Sequence, residues 1–411
     1  MRTLLSLFTV FLLAVIYSCS QNTDSPNTPK VIELDEKSAQ LVEADNAFGL
    51  ENFKKISQES TEDNIMVSPL SISLALAMAY NGAAGDTKSE MEEALKLNGL
   101  TPEQINNSYK MLVNALQSLD EDVVFEIANA IFHEENFPVK QVFLDLNNNY
   151  YNAEVDGIDF SSPAALTTIN NWVANKTHDK ITEILDALSS DARMVLLNAI
   201  YFYGTWTKEF NKEGTKLRNF NMVNGSTKEV PMMSKEDKLD YLSNNLFSAV
   251  KLPYGTGQYN MMVMLPAEGK NSQDIIEELS AKNWKNWTND FESHENVVVT
   301  MPRFKFEFKA QLIKVLQQMG MQKAFSPSAD FSGISDVALY ISKVIHKTYI
   351  DVNETGTEAA AVTAIVFEVT SAGPSEPQKI YFTVDKPFVF AITEKDTNAI
   401  LFIGEVKNPE Y

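Results

Sequence analysis

Apolar positions recur at helical spacing near the start of the chain. Ala47, Phe48, Leu50, Phe53 and Ile56 share one face and predict an amphipathic helix. A second helix is expected after Ser68-Pro69, with Ser68 as its cap, Pro69 in its first turn and an apolar run through Ala75, Leu76, Ala77, Met78 and Ala79 that predicts burial. The segments Val123–Ala128 and Arg193–Asn198 read as strands of a large buried sheet, and Ala165–Thr177 as a helix. Toward the C-terminus strands dominate: Val297–Phe308, Leu339–Val344, Ile380–Val384, Pro387–Thr393 and Ile400–Val406. No internal repeat at a fixed period interrupts this order. The pattern predicts one mixed α+β domain over residues 38–411.

Composition narrows the function classes. In 411 residues, 44% hydrophobic content supplies one large core, and a formal net charge of −21 repels nucleic acid, anionic headgroups and polyanionic cofactors. The single cysteine, Cys19, excludes an internal disulfide. Cys19 also closes a short apolar run, Leu4–Tyr17, behind Met1-Arg2, the layout of a signal peptide. Ser18-Cys19 at its end resembles the lipobox of bacterial lipoproteins, apart from a bulky Tyr17. The expectation is a signal peptide over 1–18, a lipidated Cys19, and a polar, Pro-punctuated tether over 19–37. The chain would then be exported and held at the bacterial cell envelope through its lipid, or secreted.

Catalytic motifs are missing from the sequence. His133, His178, His294 and His346 form no HExxH and stand near no CxxC, and there is neither a GxSxG elbow nor a phosphate loop. No metal and no cofactor are expected.

One stretch is unusual on physical grounds. Gly356–Gly373 holds no proline, lysine or arginine, opens with small residues and continues with β-branched ones. Strand alternation puts Thr357, Ala359, Ala361, Thr363, Ile365 and Phe367 on one face, small at first and apolar later. Such a face suits a strand that slides between existing strands onto a core; it equally suits a permanent strand.

The run Val352-Asn353-Glu354-Thr355-Gly356-Thr357-Glu358-Ala359-Ala360-Ala361 closely resembles the reactive-loop hinge of the serpin family. Asn64–Ile72, Asn198–Trp206, Val230–Met233, Leu252–Tyr254, Ala329–Gly333, His346-Lys347 and Asp385–Phe388 resemble further blocks of that family, in the same order. The resemblance implies three β-sheets, a five-stranded central sheet, eight or nine helices and an exposed loop. It implies an irreversible suicide-substrate inhibitor rather than an enzyme. A protease would acylate itself on the loop, and the cleaved loop would enter the central sheet, carrying its captive some 50 Å at about 3.3 Å per residue. The partner would be the target protease in a covalent complex, and the protein itself a monomer.

The same resemblance assigns residues. Counting from Gly356 puts the scissile bond at Thr370-Ser371, and the long return to Pro387 leaves Val369-Thr370 open as well. A small β-branched residue before the cut suits elastase-like or subtilisin-like serine proteases, with papain-like cysteine proteases second. Ser68, Ser71, Asn198 and His346 match the family's polar cluster where the central sheet parts. Trp206, Thr215, Arg303 and Glu354 match the top of the sheet, where a Glu354–Arg303 pair would restrain premature insertion. Arg303 stands where lysine is common in the family. A non-inhibitory binding protein or chaperone of the same fold is the competing expectation, and the permissive Thr357 and Ala359–Ala361 argue against it.

Overall fold

The computed structural model describes residues 30–189, 191–358 and 379–411. Cys19, Ala359–Ala361 and the candidate scissile residues Val369, Thr370 and Ser371 lie outside them. The described helices are α1 (Glu36–Glu59), α2 (Pro69–Tyr80), α3 (Gly85–Ala94), α4 (Pro102–Gln117), α5 (Gln141–Tyr151), α6 (Pro163–Lys176), α7 (Ser272–Glu278), α8 (Ala281–Asn289) and α9 (Ile313–Gln318). The strands begin with β1 (Asn64–Val67), β2 (Val123–Glu134), β3 (Glu154–Ile158), β4 (Met194–Thr205) and β5 (Lys216–Asn221). The middle of the chain adds β6 (Thr227–Ser243), β7 (Phe247–Tyr254), β8 (Tyr259–Pro266), β9 (Glu292–Pro302) and β10 (Phe304–Gln311). The last five are β11 (Ile345–Val352), β12 (Gly356–Thr357), β13 (Ile380–Thr383), β14 (Phe388–Glu394) and β15 (Ile400–Val406).

Local sequence explains the helix starts. Asp35 caps α1 by accepting the Ser38 N–H at 2.7 Å. Ser68 caps α2 ahead of Pro69 by accepting the Ser71 N–H at 3.3 Å. Eleven of the twelve residues of α2 are buried, as its apolar run predicts. This helix packs beneath the central sheet, against β4 and β15.

The central sheet runs β10-β11-β12-β4-β2-β3. Four of these strands run 8 to 12 residues, β3 has five, and β12 is only two. The other strands form a single hydrogen-bonded sheet of nine, β1-β15-β14-β8-β7-β6-β9-β13, with β5 on β6. The expected count of three sheets is thus two by hydrogen bonding. The cause is β6, whose 17 residues pair with β5 at one end, with β7 at the other and with β9 along most of the length, so no break separates the layers.

Three further expectations change. Residues 339–344 are irregular and the strand starts at Ile345, because the Ile341 N–H bonds to Ala324 O and Val344 O accepts from the Leu312 N–H instead of a ladder partner. Residues 30–35 belong to the packed body and not to the tether. Ile32 is buried, its N–H donates to Asp396 Oδ2 at 3.3 Å, and Lys30 Nζ reaches Ser118 O at 2.6 Å. The expected strand over 297–308 divides at Arg303 into β9 and β10, which lie in different sheets.

Candidate strand-insertion site

The site is built from the turn that follows β11. Asn353 shapes it: Oδ1 accepts from the Thr355 N–H at 3.0 Å and the Thr355 hydroxyl at 2.7 Å, while the Asn353 N–H reaches Gly356 O at 2.9 Å. This is a side-chain-closed turn of the kind asparagine favours. It sends Gly356 and Thr357 back antiparallel to β11, with Val352 opposite Thr357. On the other side Gly356 and Thr357 pair with Thr205 and Gly204 of β4. Among the described residues no rung joins β4 to β11 directly; β12 is the only bridge between them. Glycine at 356 is required, since a Cβ there would lie 2.0 Å from Gly204 O and 2.7 Å from Thr205 Cα.

Every group expected at the top of the sheet converges here. Arg303 Nη2 and Nε lie 2.6 and 2.8 Å from Glu354 Oε1, which also accepts a hydrogen bond from the Thr215 hydroxyl. Trp206 fastens the turn by two bonds, Nε1 to Asn353 O and N–H to Thr355 O, each 2.9 Å. Its ring stacks on Tyr254 at 4.4 Å, and the Tyr254 hydroxyl meets Thr357 Oγ1 at 2.6 Å. Thr357 therefore faces the core.

Lys235 was not legible as part of this site. Its side chain is 3% exposed, with Nζ 4.8 Å from the Phe210 ring centre, 5.7 Å from that of Trp206, and donating to Lys208 O at 2.7 Å. Burial lowers its pKa to about 8, against the pull of Asp237. A lysine in a strand otherwise reads as solvent-facing, so nothing in the local pattern marked it.

Lower in the slot, the expected polar cluster divides between its two walls. His346 of β11 accepts the Ser68 N–H through Nε2 at 2.9 Å, which places the proton of the neutral ring on Nδ1. Burial holds its pKa down at about 4. Asn198 of β4 bonds instead to Asn129 of β2, Nδ2 to Oδ1 at 2.8 Å, and Asn129 donates on to Tyr151 O at 2.7 Å. Ser68, Ser71, Asn198 and His346 line one small cavity of about 10 Å³. Asn129 completes the group, and an asparagine within an apolar strand was the signal for it. A second cavity of about 30 Å³ continues upward between Tyr201 and Tyr349 to Thr357 and Glu358. Among the described residues no cluster of His, Cys, Asp or Glu is arranged to hold a metal.

The central sheet is thus parted between two parallel strands, β4 and β11, with Gly356 and Thr357 between them at one end. The profile of the family described as Serpin (serine protease inhibitor) matches residues 43–409, and the chain belongs to that family. An uncharacterized serpin-like protein of Methanosarcina acetivorans is 36% identical over 385 residues, covering 90% of this chain and 88% of its own. The leukocyte elastase inhibitor of Bos taurus is 35% identical over 383 residues, covering 90% of this chain and all of its own. The native state of the thermophilic serpin tengpin superposes with a TM-score of 0.81 at 32% identity, over 93% of this chain and 97% of its own. Members of the family are mostly protease inhibitors rather than enzymes.

Proposed function

We propose that this serpin is an irreversible protease inhibitor that traps an acyl-enzyme by inserting its cleaved loop between β4 and β11. The observation that carries the reading is β12, which has begun the insertion and stopped after Gly356 and Thr357. Cleavage frees the segment beyond Thr357 from its far attachment at β13. Each residue then added offers ladder bonds to both β4 and β11, each worth about 1 kcal/mol net. The small side chains of Ala359 and Ala361, and the apolar Ile365 and Phe367, suit the core-facing side. The relaxed form is therefore the more stable one, and the trap closes without an external energy source.

The target we infer is an elastase-like or subtilisin-like serine protease that cuts at Thr370-Ser371 or Val369-Thr370, with papain-like cysteine proteases second. Similarity to a leukocyte elastase inhibitor and a loop without basic residues support the choice. We also propose that Cys19 is lipidated and anchors the protein at the cell envelope, from which replacement by serine should release it. The inhibitor reading is tested by incubation with elastase and subtilisin. An SDS-resistant adduct, and an N-terminus of the released fragment within 368–372, are expected. Thr357→Arg should turn the protein into a substrate cut at the same bond, because a guanidinium cannot follow the buried path of Thr357. Turnover of the wild-type protein with no adduct would refute the reading.

A further inference from the structure

Below the two inserted residues, the segment leaving α6 crosses the slot. Thr177 shapes this crossing. Its hydroxyl donates to Val173 O at 2.8 Å and accepts from the Ile181 N–H at 3.1 Å, while the Asp179 N–H returns to Ala174 O at 2.8 Å. His178 and Asp179 take left-handed φ angles of 49° and 62°, a conformation that side-chain-bearing residues hold only when their surroundings fix it.

The tight turn sends its side chains to opposite walls. The His178 ring lies 4.3 Å from that of Tyr201 in β4, and its Nε2 is 2.8 Å from Glu126 Oε2 in β2. Lys180 goes the other way. Its Nζ lies 5.3 Å from the ring centre of Tyr349 in β11 and 3.2 Å from Glu358 Oε1.

Glu358 is the residue at which insertion stops. Its N–H still donates to Asp351 O at 2.7 Å, as a rung would, yet its φ of 60° turns the chain out of the strand. Thr357 faces the core, so alternation puts Glu358 on the α6 side. Its side chain is 3% exposed beside a Lys180 that is 38% exposed. Burial raises its pKa, and Tyr201 and Lys180 act in the opposite direction.

We propose that Lys180 and Glu358 form a latch that arrests strand insertion at Thr357, a role that rests on the inserting-inhibitor reading above. The turn after α6 is the fixed half and the hinge is the moving half. For one more residue to insert, Glu358 must pass from the left-handed to the β region and the turn bearing Lys180 must lift, and both movements part the ions. The pair is thus made in the arrested state and lost at the barrier, the arrangement that slows a transition without altering its end point.

The test uses uncleaved protein and no protease. Wild type, Lys180→Met, Glu358→Gln, the double variant and Lys180→Arg are held at one elevated temperature, and the rate of conversion to a heat-resistant form is followed. Each single removal should speed conversion about tenfold, because Lys180 is 38% exposed and water screens the pair. The double variant should convert no faster than the faster single one, and Lys180→Arg should stay near the wild-type rate. Single variants that convert at the wild-type rate, or a double variant whose effects multiply, overturn the latch. A parallel sample of wild type, nicked in its loop, separates the two ideas. If nicking brings no heat resistance, the inserting-inhibitor reading falls and the latch with it; if nicking does so while Lys180→Met converts like wild type, only the latch falls.

Discussion

Arg303 brings two nitrogens to one oxygen of Glu354, Nη2 at 2.6 Å and Nε at 2.8 Å, in a site where the glutamate side chain is 2% exposed and the arginine 26%. The arginine therefore screens the carboxylate from water while neutralising it. Replacing Arg303 with methionine keeps much of the bulk and strips the charge. The native protein should lose about 3 kcal/mol, the cost of orphaning a buried ion. Differential scanning calorimetry of the uncleaved form reads this as a lowered midpoint. The loop-cleaved form should shift less, because the barrier to insertion is no longer at stake.

Gly356→Ala tests whether β12 depends on a bare backbone. Its methyl group would need to occupy space 2.0 Å from Gly204 O. The turn should be expelled from the sheet, breaking the bond from Trp206 Nε1 to Asn353 O. Tryptophan emission should shift to the red, and the variant should be cleaved by target proteases with much less adduct formed.

His346 gives the native state an acid-sensitive term. Its folded pKa, about 4, lies below the value of 6.5 for a free imidazole. Stability from the neutral ring is complete above pH 6.5 and is lost as pH falls from 6.5 toward 4, about 3 kcal/mol in all. The imidazolium could no longer accept the Ser68 N–H. The melting-midpoint advantage of wild type over His346→Gln should therefore shrink as pH falls through this interval.

Asp45 acts with the opposite sign. It lies on the buried face of α1, accepts the Tyr109 hydroxyl at 2.7 Å, and burial raises its pKa from 3.8 to about 7. Its contribution is intact below pH 3.8 and declines as pH rises to about 7, where the cost becomes constant. Asp45→Asn keeps an acceptor for Tyr109 without the titration. It should match wild type near pH 4 and exceed it by about 4 kcal/mol above pH 7, read as a higher melting midpoint.

The hinge was legible through its resemblance to the serpin reactive-loop hinge, which also implied the pair of Glu354 with Arg303, 51 residues away; the turn closed by Asn353 and the close approach at Gly356 emerged only from the structure. The helix at Ser68-Pro69 was legible from the residues themselves, since its cap and first turn lie side by side in sequence. What stayed hidden depends on distant contacts. Asn198 meets Asn129 across a ladder between strands 69 residues apart. The merging of two expected sheets follows from how far β6 extends, which alternation alone does not limit. Residues 30–35 look like linker until Asp396 and Ser118 are brought beside them.

The inner margins of β4 and β11, which meet only Gly356 and Thr357 among the described residues, are sticky edges kept inside a single molecule. Any extended peptide of suitable shape competes for them, including the loop of a neighbouring copy. A net charge of −21 on every copy opposes such neighbours approaching. Salt, by screening that repulsion, should make warm, concentrated solutions of this protein prone to link into chains.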